Sequence, residues 1–165
     1  MAIKNRKSTR LKNYDYTQSG YYFVTVCVQN RECRFGNIIN GEMVLNEFGK
    51  IVEQQWKWLK QNFNFVDLDV FIVMPNHFHG ILIIEPVGNG LDRSLQPLPI
   101  FNIIGAFKTT SSKLIHNSGL PSFSWQKSFY DHVIRRDESL NKIREYIVNN
   151  PLKWDLDREN PRSNG

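Results

Sequence analysis

Residues 66–85 read VDLDVFIVMPNHFHGILIIE, and the order of residue types in this stretch decides the fold. Residues 66–73 and 77–85 are rich in β-branched and aromatic side chains, which favour β-strands. Between them, Met74-Pro75-Asn76 has the composition of a turn. Two strands joined by so short a connection must run antiparallel. The stretch therefore predicts a pair of neighbouring antiparallel strands.

The second of these strands begins with His77-Phe78-His79. Successive side chains on a strand point to opposite faces, so the two histidines share one face and Phe78 points to the other. Two neighbouring imidazoles can bind a metal ion, although a histidine pair on a strand is more commonly a partly exposed polar pair. A metal ion would also need at least one further ligand. By itself, the pair leaves both interpretations open.

Strands and helices alternate through the rest of the chain. Composition predicts further strands at residues 21–28, on both sides of Asn40-Gly41 within 35–46, and at 124–135. Apolar residues at helical spacing predict helices at 47–61, 100–115 and 137–150. Asp137 is expected to cap the last helix and Pro151 to end it, whereas residues 86–97 are expected to form an exposed loop. The hairpins favour an α+β fold, with an antiparallel sheet covered by helices as in ferredoxin or RNA-recognition-motif domains.

The last predicted helix has a buried stripe formed by Leu140, Ile143 and Ile147. Tyr146 lies beside this stripe, and Asn150 follows it four residues later. Residues four apart are neighbours on one helix face, so a hydroxyl and an amide can be presented together. The simpler interpretation is that Tyr146 packs at the edge of the core and Asn150 caps the helix end.

Length and composition indicate an ordinary globular protein. The chain has 165 residues and a mass of 19.4 kDa, with 41% hydrophobic and 22% charged residues. This size fits one domain with a sizeable core. Two cysteines, Cys27 and Cys33, do not make a disulfide framework. Neither a signal peptide nor a membrane-spanning run is found, so we expect a soluble, cytoplasmic protein.

The net charge of +5 arises from the N-terminal arm. Of the 21 basic residues, five precede the first acidic residue, Asp15, and the remaining 16 balance the 16 acidic residues. A basic arm gains affinity for a phosphate backbone by releasing counterions, although it can equally be a solvated tail. Charge alone therefore allows nucleic-acid binding without requiring it.

Two motifs together resemble a known family. The string Met74-Pro75-Asn76-His77-Phe78-His79-Gly80 is similar to the His-hydrophobic-His motif of the HUH nucleases. Residues 125–151, with WQ, YDHVIR and YIVNNP, resemble the REP-associated tyrosine transposases, which are relatives of the insertion sequence 200/605 enzymes. In that family, as here, the tyrosine follows the histidines. The resemblance divides the chain into a basic arm (1–20), an HUH single-tyrosine transposase domain (21–151) and a C-terminal tail (152–165).

The resemblance implies roles for individual residues. His77 and His79 would bind a divalent metal ion, Mg²⁺ or Mn²⁺, and Asn150 occupies the position of a third, helix-borne ligand. Tyr146 would be the nucleophile. The family's D-H-x-x-R stretch includes His132, to which no role is assigned. The DNA-binding residues implied are Lys4, Arg6, Lys7, Arg10, Lys12 and Arg135.

The implied reaction is cleavage of single-stranded DNA by Tyr146, which forms a covalent 5′-phosphotyrosine and releases a 3′-hydroxyl. The intermediate keeps the energy of the broken bond, so strands can be rejoined. Relatives act on imperfect palindromes that fold as hairpins, in the bacterial cytoplasm and on the nucleoid when bound to DNA. The resemblance leaves open whether the protein is a monomer or a homodimer, and whether one chain or two build the site.

Four alternatives are considered. Tyr130 is a competing nucleophile, but a strand position without a neighbouring amide makes it second choice. A second alternative is a single-stranded nucleic-acid-binding module that has lost catalysis and uses exposed aromatic rings and the basic arm. The motif order and small size disfavour a relaxase or a replication initiator. A structural zinc domain is disfavoured because no cysteine pair or third histidine completes a tetrahedral set.

Overall fold

The structure, a computed structural model, describes residues 11–86 and 98–162. Four of the six predicted DNA-binding residues, Lys4, Arg6, Lys7 and Arg10, lie outside these ranges, as does most of the predicted loop at 86–97. Within the described ranges, no helix is both long and apolar enough to cross a bilayer. The two cysteines are free, as predicted.

Six strands and three α-helices make up the regular structure of the described residues. In chain order they are β1 (Gly20–Cys27), β2 (Gly36–Ile39), β3 (Glu42–Leu45), α1 (Glu47–Asn62), β4 (Val66–Met74), β5 (His77–Ile84), α2 (Ile100–Asn117), β6 (Tyr130–Ile134) and α3 (Asp137–Val148). A short 3₁₀ helix covers Gln29–Arg31, and a C-terminal 3₁₀ helix covers Pro151–Leu156.

The main sheet has four antiparallel strands in the order β4-β5-β1-β6. When the separate β2–β3 hairpin is set aside, the chain runs β-α-β-β-α-β with the sheet order of a ferredoxin-like fold. The α+β prediction is therefore confirmed. Because β5 and β1 are the two inner strands, residues on β5 are hydrogen-bonded on both sides.

The sheet separates two apolar clusters. On one face, α1 and α2 cover Phe78, whose ring lies 4.5 Å from that of Trp56 and 5.3 Å from that of Phe107. On the other face, α3 packs Ile147 against Phe23 of β1 and a smaller cluster around it. Phe78 thus anchors β5 in the larger cluster. Its neighbours His77 and His79 consequently face α3, as the alternation of side chains predicts.

The β2–β3 hairpin turns at Asn40-Gly41, where φ is 51° and 75°. Positive φ at both central residues is the requirement of a type I′ turn, and glycine and asparagine adopt it at the lowest cost. The predicted hairpin is confirmed.

The predicted strand at 124–135 is wrong for its first half. Only Tyr130–Ile134 forms β6, and upstream of it Trp125 makes a single isolated bridge to Val28. The Lys108 ammonium on α2 donates hydrogen bonds of 2.7 Å to the Gln126 carbonyl and 3.2 Å to the Lys127 carbonyl. The Gln126 N–H also donates to the Cys27 carbonyl at 2.8 Å, so the segment is held by a lysine side chain and isolated backbone contacts instead of a continuous strand ladder.

The predicted cap of the third helix is also wrong. Arg136 is the N-cap residue of α3 and makes no side-chain capping bond, whereas Asp137 lies in the first turn. Its carboxylate can still stabilise the positive end of the helix. α3 ends at Val148, but Asn150 keeps helical dihedral angles and therefore stays about one turn beyond Tyr146.

We expect Gly80→Ala to lower the free energy of unfolding by about 1–3 kcal/mol through overpacking. A Cβ at this position would lie 2.8 Å from atoms of both Phe78 and Trp56. Gly105→Ala is the matched control, since a Cβ there meets nothing within 4 Å. In the interior of α2 it should raise stability by about 0.5–1 kcal/mol. Urea unfolding of both variants checks the opposite signs.

Candidate active site

His77 and His79 form a buried pair at the start of β5. The two Nε2 atoms are 3.0 Å apart, and the rings meet edge to face at 4.6 Å. His77 is opposite Cys27 of β1 and Met74 of β4, and His79 is opposite Thr25 and Ile72. Strands on both sides and α3 above exclude solvent from the imidazoles, and both residues are less than 5% exposed. The partly exposed polar pair considered from sequence is therefore excluded.

Neighbouring side chains orient both rings. Asn76 donates through Nδ2 to the carbonyls of Arg31 and Glu159, at 3.1 and 2.6 Å, which identifies its Oδ1 as the oxygen. That oxygen only accepts, so the His77 Nδ1–H donates to it at 2.8 Å, and Nε2 of neutral His77 carries the lone pair. Nε2–H of His79 therefore donates to that lone pair at 3.0 Å, and Nδ1 of His79 accepts from the Thr25 hydroxyl at 2.8 Å.

Burial keeps both imidazoles neutral. Desolvation lowers the pKa of His77 to about 4, against smaller opposing effects of the Asp157 carboxylate and the Asn150 side chain. The pKa of His79 is lowered well below its usual value, first by burial and then by the electrostatic effects of His77 and Arg158. Neutral imidazole is the form that binds metal ions.

These pKa values predict a dependence of stability on pH. The unfolded chain takes up protons on its histidines near pH 6.5, whereas folded His77 resists protonation until about pH 4. The unfolded state therefore binds more protons in this interval, so the free energy of unfolding should fall as pH drops from 6.5 toward 4. Urea unfolding in EDTA at pH 7.5 and 5 measures the loss. His77→Gln should show a smaller loss, and an equal loss would contradict the assignment.

The tyrosine of α3 lies against this pair. The Tyr146 ring is 5.4 Å from the His79 ring and 6.2 Å from Phe23, and the residue is 44% exposed. One chain therefore brings the tyrosine to its own histidines. The competing tyrosine, Tyr130, touches Phe23 from β6 at 6.2 Å but has no described ring contact with either histidine. Of these two tyrosines, Tyr146 is therefore the one whose ring contacts a histidine.

Asn150 completes the group from the end of α3. It is only 3% exposed, and its Oδ1 has no hydrogen-bond partner among the described residues. The Asn150 side chain lies near the His77 imidazole and raises its pKa, although the Asn150 oxygen does not meet the geometry of a hydrogen bond. A buried polar atom without a partner is costly in a native structure. Asn150 therefore does not act as the helix cap considered from sequence, and its oxygen is available to a ligand.

An ion pair positions α3 over the sheet. The Arg144 Nε donates to Oδ2 of Asp69 at 3.0 Å and to Oδ1 at 3.2 Å. Asp69 lies at an irregularity of β4, between Leu68 and Phe71. A two-point contact of this kind restricts rotation of the helix that carries Tyr146.

The residues present fit a divalent metal ion. Two ligand atoms that make bonds of about 2.1 Å to one ion, with an angle of about 90° between the bonds, lie about 3 Å apart. The distance between the two Nε2 atoms agrees with this value. The unpartnered oxygen of Asn150 supplies a third donor. No group of three or more His, Cys, Asp or Glu suited to a metal exists within residues 11–86 and 98–162, so an amide must complete the set.

Two of the predicted DNA-binding residues are described. Lys12 is exposed within the basic arm, and the Arg135 guanidinium lies 5.9 Å above the Tyr14 ring. His132 is exposed on β6. The structure thus places Arg135 beside the root of the basic arm.

Sequence reasoning missed Asp157. Its Oδ2 lies 3.8 Å from Nε2 of His77, after the C-terminal 3₁₀ helix. No motif or periodicity marks this aspartate, because its position depends on how the chain returns after Pro151.

Comparison with known proteins places the chain in a family and identifies its fold. No protein-family profile matches the chain. An uncharacterized protein of Haemophilus influenzae (strain ATCC 51907 / DSM 11121 / KW20 / Rd) is 40% identical over 168 residues, which covers 94% of this chain and 93% of the relative.

Two solved structures share the fold. A REP-associated tyrosine transposase bound to a REP hairpin superimposes with a TM-score of 0.58 and 23% identity, over 88% of this chain and 73% of that one. A candidate transposase from Deinococcus radiodurans R1 has a TM-score of 0.50 and 15% identity, over 85% and 95% of the two chains. The chain therefore belongs to one family with the Haemophilus influenzae protein, and its fold is that of the REP-associated tyrosine transposases, as the two sequence motifs predicted.

Proposed function

We propose that this protein is a metal-dependent transposase that nicks single-stranded DNA through a covalent 5′-phosphotyrosine and can rejoin the strands. The observation that carries the proposal is that one chain brings together a tyrosine, a histidine pair and an asparagine. The exposed Tyr146 ring lies 5.4 Å from that of His79, one of two buried histidines, and the buried Asn150 oxygen near them makes no hydrogen bond among the described residues.

Tyr146 is the proposed nucleophile. Its oxygen forms a bond to the phosphorus of a phosphodiester and loses its proton to solvent, while the bond from phosphorus to the 3′-oxygen breaks. The 3′-oxygen takes up a proton and leaves as a hydroxyl. Attack by another 3′-hydroxyl on the phosphotyrosine reverses these steps and joins two strands. One such tyrosine holds one DNA end at a time.

His77, His79 and Asn150 would hold the metal ion, Mg²⁺ or Mn²⁺. When bound, the ion would polarise the scissile phosphate and neutralise charge in the transition state. Asn76 and Thr25 keep the imidazoles oriented through their Nδ1 atoms. Because the rings are already oriented, they would lose little conformational freedom when they bind the metal ion.

The proposed substrate is DNA that folds as a hairpin with a single-stranded flank. The structural neighbour with a TM-score of 0.58 is bound to a REP hairpin. In this chain, Arg135 after β6 and the exposed Lys12 provide positive charge, and the sequence has four further basic residues before Lys12. Cations of this kind bind phosphates with little sequence preference, so they would position the DNA.

A covalent-trapping assay tests the proposal. The protein is mixed with labelled hairpin DNA from the flanks of its own gene, with Mn²⁺ or with EDTA, and run on a denaturing gel. We expect a slow, protease-sensitive band that requires Mn²⁺. Tight binding without any such band would instead support the non-catalytic binding module.

A further inference from the structure

The histidine pair can share either a proton or a cation between its two rings. The Nε2 atoms of His77 and His79 are 3.0 Å apart. Two nitrogen lone pairs that face each other at this distance repel, so a positive centre must lie between them. A proton on one nitrogen makes a hydrogen bond of ordinary length. An ion bound by both nitrogens instead requires that neither of them carries a proton. Hydrogen bonding and metal binding therefore need different tautomers of one ring.

The tautomer of His77 is fixed by Asn76. The Asn76 amide is buried and donates to the carbonyls of Arg31 and Glu159, so it cannot turn over without losing both bonds. Its oxygen accepts from Nδ1 of His77 at 2.8 Å. Moving the His77 proton to Nε2 would leave two acceptors facing each other at Nδ1, which is costly in a buried site. Nε2 of His77 thus keeps its lone pair with or without a metal ion.

His79 differs because its partner can change roles. Among the described residues, the hydrogen-bond partner of Nδ1 is the hydroxyl of Thr25, 2.8 Å away on the neighbouring strand β1. A hydroxyl can donate its proton or accept one, and it rotates to suit its partner. Thr25 can therefore donate to Nδ1 when Nε2 is protonated, and accept from Nδ1–H when Nε2 has a lone pair. Thr25 is partly exposed, so water can accept its own proton in the second case.

Packing prevents the His79 ring from reaching the same result by rotation. The ring packs against those of Phe23, at 5.6 Å, and Tyr146, at 5.4 Å. The residue is only 4% exposed, so solvent offers Nδ1 little alternative to Thr25. A turn of the ring would disturb these contacts, whereas a change of tautomer leaves every heavy atom in place.

We propose that binding of a divalent ion moves the proton of His79 from Nε2 to Nδ1, and that Thr25 is a positioning residue whose hydroxyl serves both tautomers. The inference rests on the proposed function, because it assumes that the histidine pair binds a divalent ion. Nε2 gives up one proton and Nδ1 gains one, so the ring stays neutral and the protein releases no net proton.

Nitrogen-15 NMR of the histidine rings in the full-length chain at pH 7.5 tests the change of tautomer. A protonated ring nitrogen and one with a lone pair differ in chemical shift, and His79→Gln identifies the His79 signals. The probe is Zn²⁺, which is diamagnetic and binds imidazole more tightly than Mn²⁺ does. The His79 proton should lie on Nε2 in EDTA and on Nδ1 with Zn²⁺. His116 is the internal control, since its Nε2 donates to the Phe123 carbonyl and should stay protonated.

Calorimetric titration with MnCl₂, without DNA, tests the role of Thr25. Thr25→Val keeps the shape of the side chain but leaves Nδ1–H of His79 without an acceptor, so it should weaken Mn²⁺ binding about tenfold. Thr25→Ser keeps the hydroxyl and should bind nearly as the wild type does. Thr110→Val is the matched control, since the Thr110 hydroxyl donates to the Phe107 carbonyl within α2, and its affinity should be unchanged. Circular dichroism in EDTA checks that the variants are folded.

The outcomes separate this inference from the proposed function. Absence of Mn²⁺ binding by the wild type would overturn both. If the ions bind but the His79 proton lies on the same nitrogen in EDTA and with Zn²⁺, the inference alone is overturned. Wild-type Mn²⁺ affinity in Thr25→Val, or an equal loss in Thr25→Val and Thr25→Ser, would likewise refute the role of the hydroxyl.

Discussion

Tyr146→Phe is expected to abolish the covalent DNA adduct and to reduce cleavage by at least about 10³-fold, because the variant lacks the attacking oxygen. Binding of hairpin DNA should persist. The phenylalanine ring keeps the contacts with Phe23 and His79, and the exposed hydroxyl is not required for packing. The measurement is the denaturing-gel assay with Mn²⁺, together with an equilibrium binding assay on the same DNA.

Tyr130→Phe is the matched control for this variant. Both tyrosines are similarly exposed, at 43% and 44%, and both rings contact Phe23 at 6.2 Å. Each substitution removes a phenolic oxygen, so a difference in adduct formation between the two variants shows which oxygen attacks the DNA. The adduct should persist in Tyr130→Phe. An adduct retained by Tyr146→Phe and lost in Tyr130→Phe would reassign the nucleophile.

His79→Gln is expected to remove Mn²⁺-dependent cleavage, by about 10²-fold or more, while hairpin binding remains. The glutamine side chain is similar in length to histidine. Its amide has one oxygen and one nitrogen on the same carbon, and these cannot take the places of both ring nitrogens. In the native site, Nδ1 contacts the Thr25 hydroxyl while Nε2 faces His77, and no amide rotamer satisfies both in the same geometry. Titration with MnCl₂ measures the Mn²⁺ affinity of the variant, and the denaturing-gel assay measures its cleavage activity.

His116→Gln serves as the control for a histidine elsewhere in the fold. His116 lies in the last turn of α2, where Nε2 is 2.7 Å from the Phe123 carbonyl. Mn²⁺ affinity and cleavage should both match the wild type. Normal Mn²⁺-dependent cleavage by His79→Gln would refute the proposed metal site, whereas an equal loss in both variants would indicate a general effect on folding.

Several features followed directly from local patterns in the chain. Alternation along β5 places His77 and His79 on one face because the pleat of a strand has a period of two residues. Asn40-Gly41 forms its turn because these residues tolerate positive φ. The spacing of Tyr146 and Asn150 follows from the pitch of a helix. Each depends on backbone geometry over a few residues.

Other features depended on partners far along the chain. In the first half of the predicted strand at 124–135, the Gln126 carbonyl accepts a hydrogen bond from Lys108, eighteen residues earlier, instead of from a strand ladder. Composition cannot reveal this, since the same β-branched and aromatic residues fit a strand or a packed loop. The ion pair between Arg144 and Asp69 similarly joins residues 75 apart.

The pattern of residues was thus sufficient to predict the α+β fold, the shared face of the two histidines and the helix that carries Tyr146. Packing of the whole chain was needed to bury the histidines, to leave the Asn150 oxygen without a partner and to bring Asp157 within 3.8 Å of His77. Strand pleat and helix pitch act over a few residues. Burial and the return of the C-terminal segment arise from packing free energy summed over many distant contacts, which no local stretch of sequence encodes.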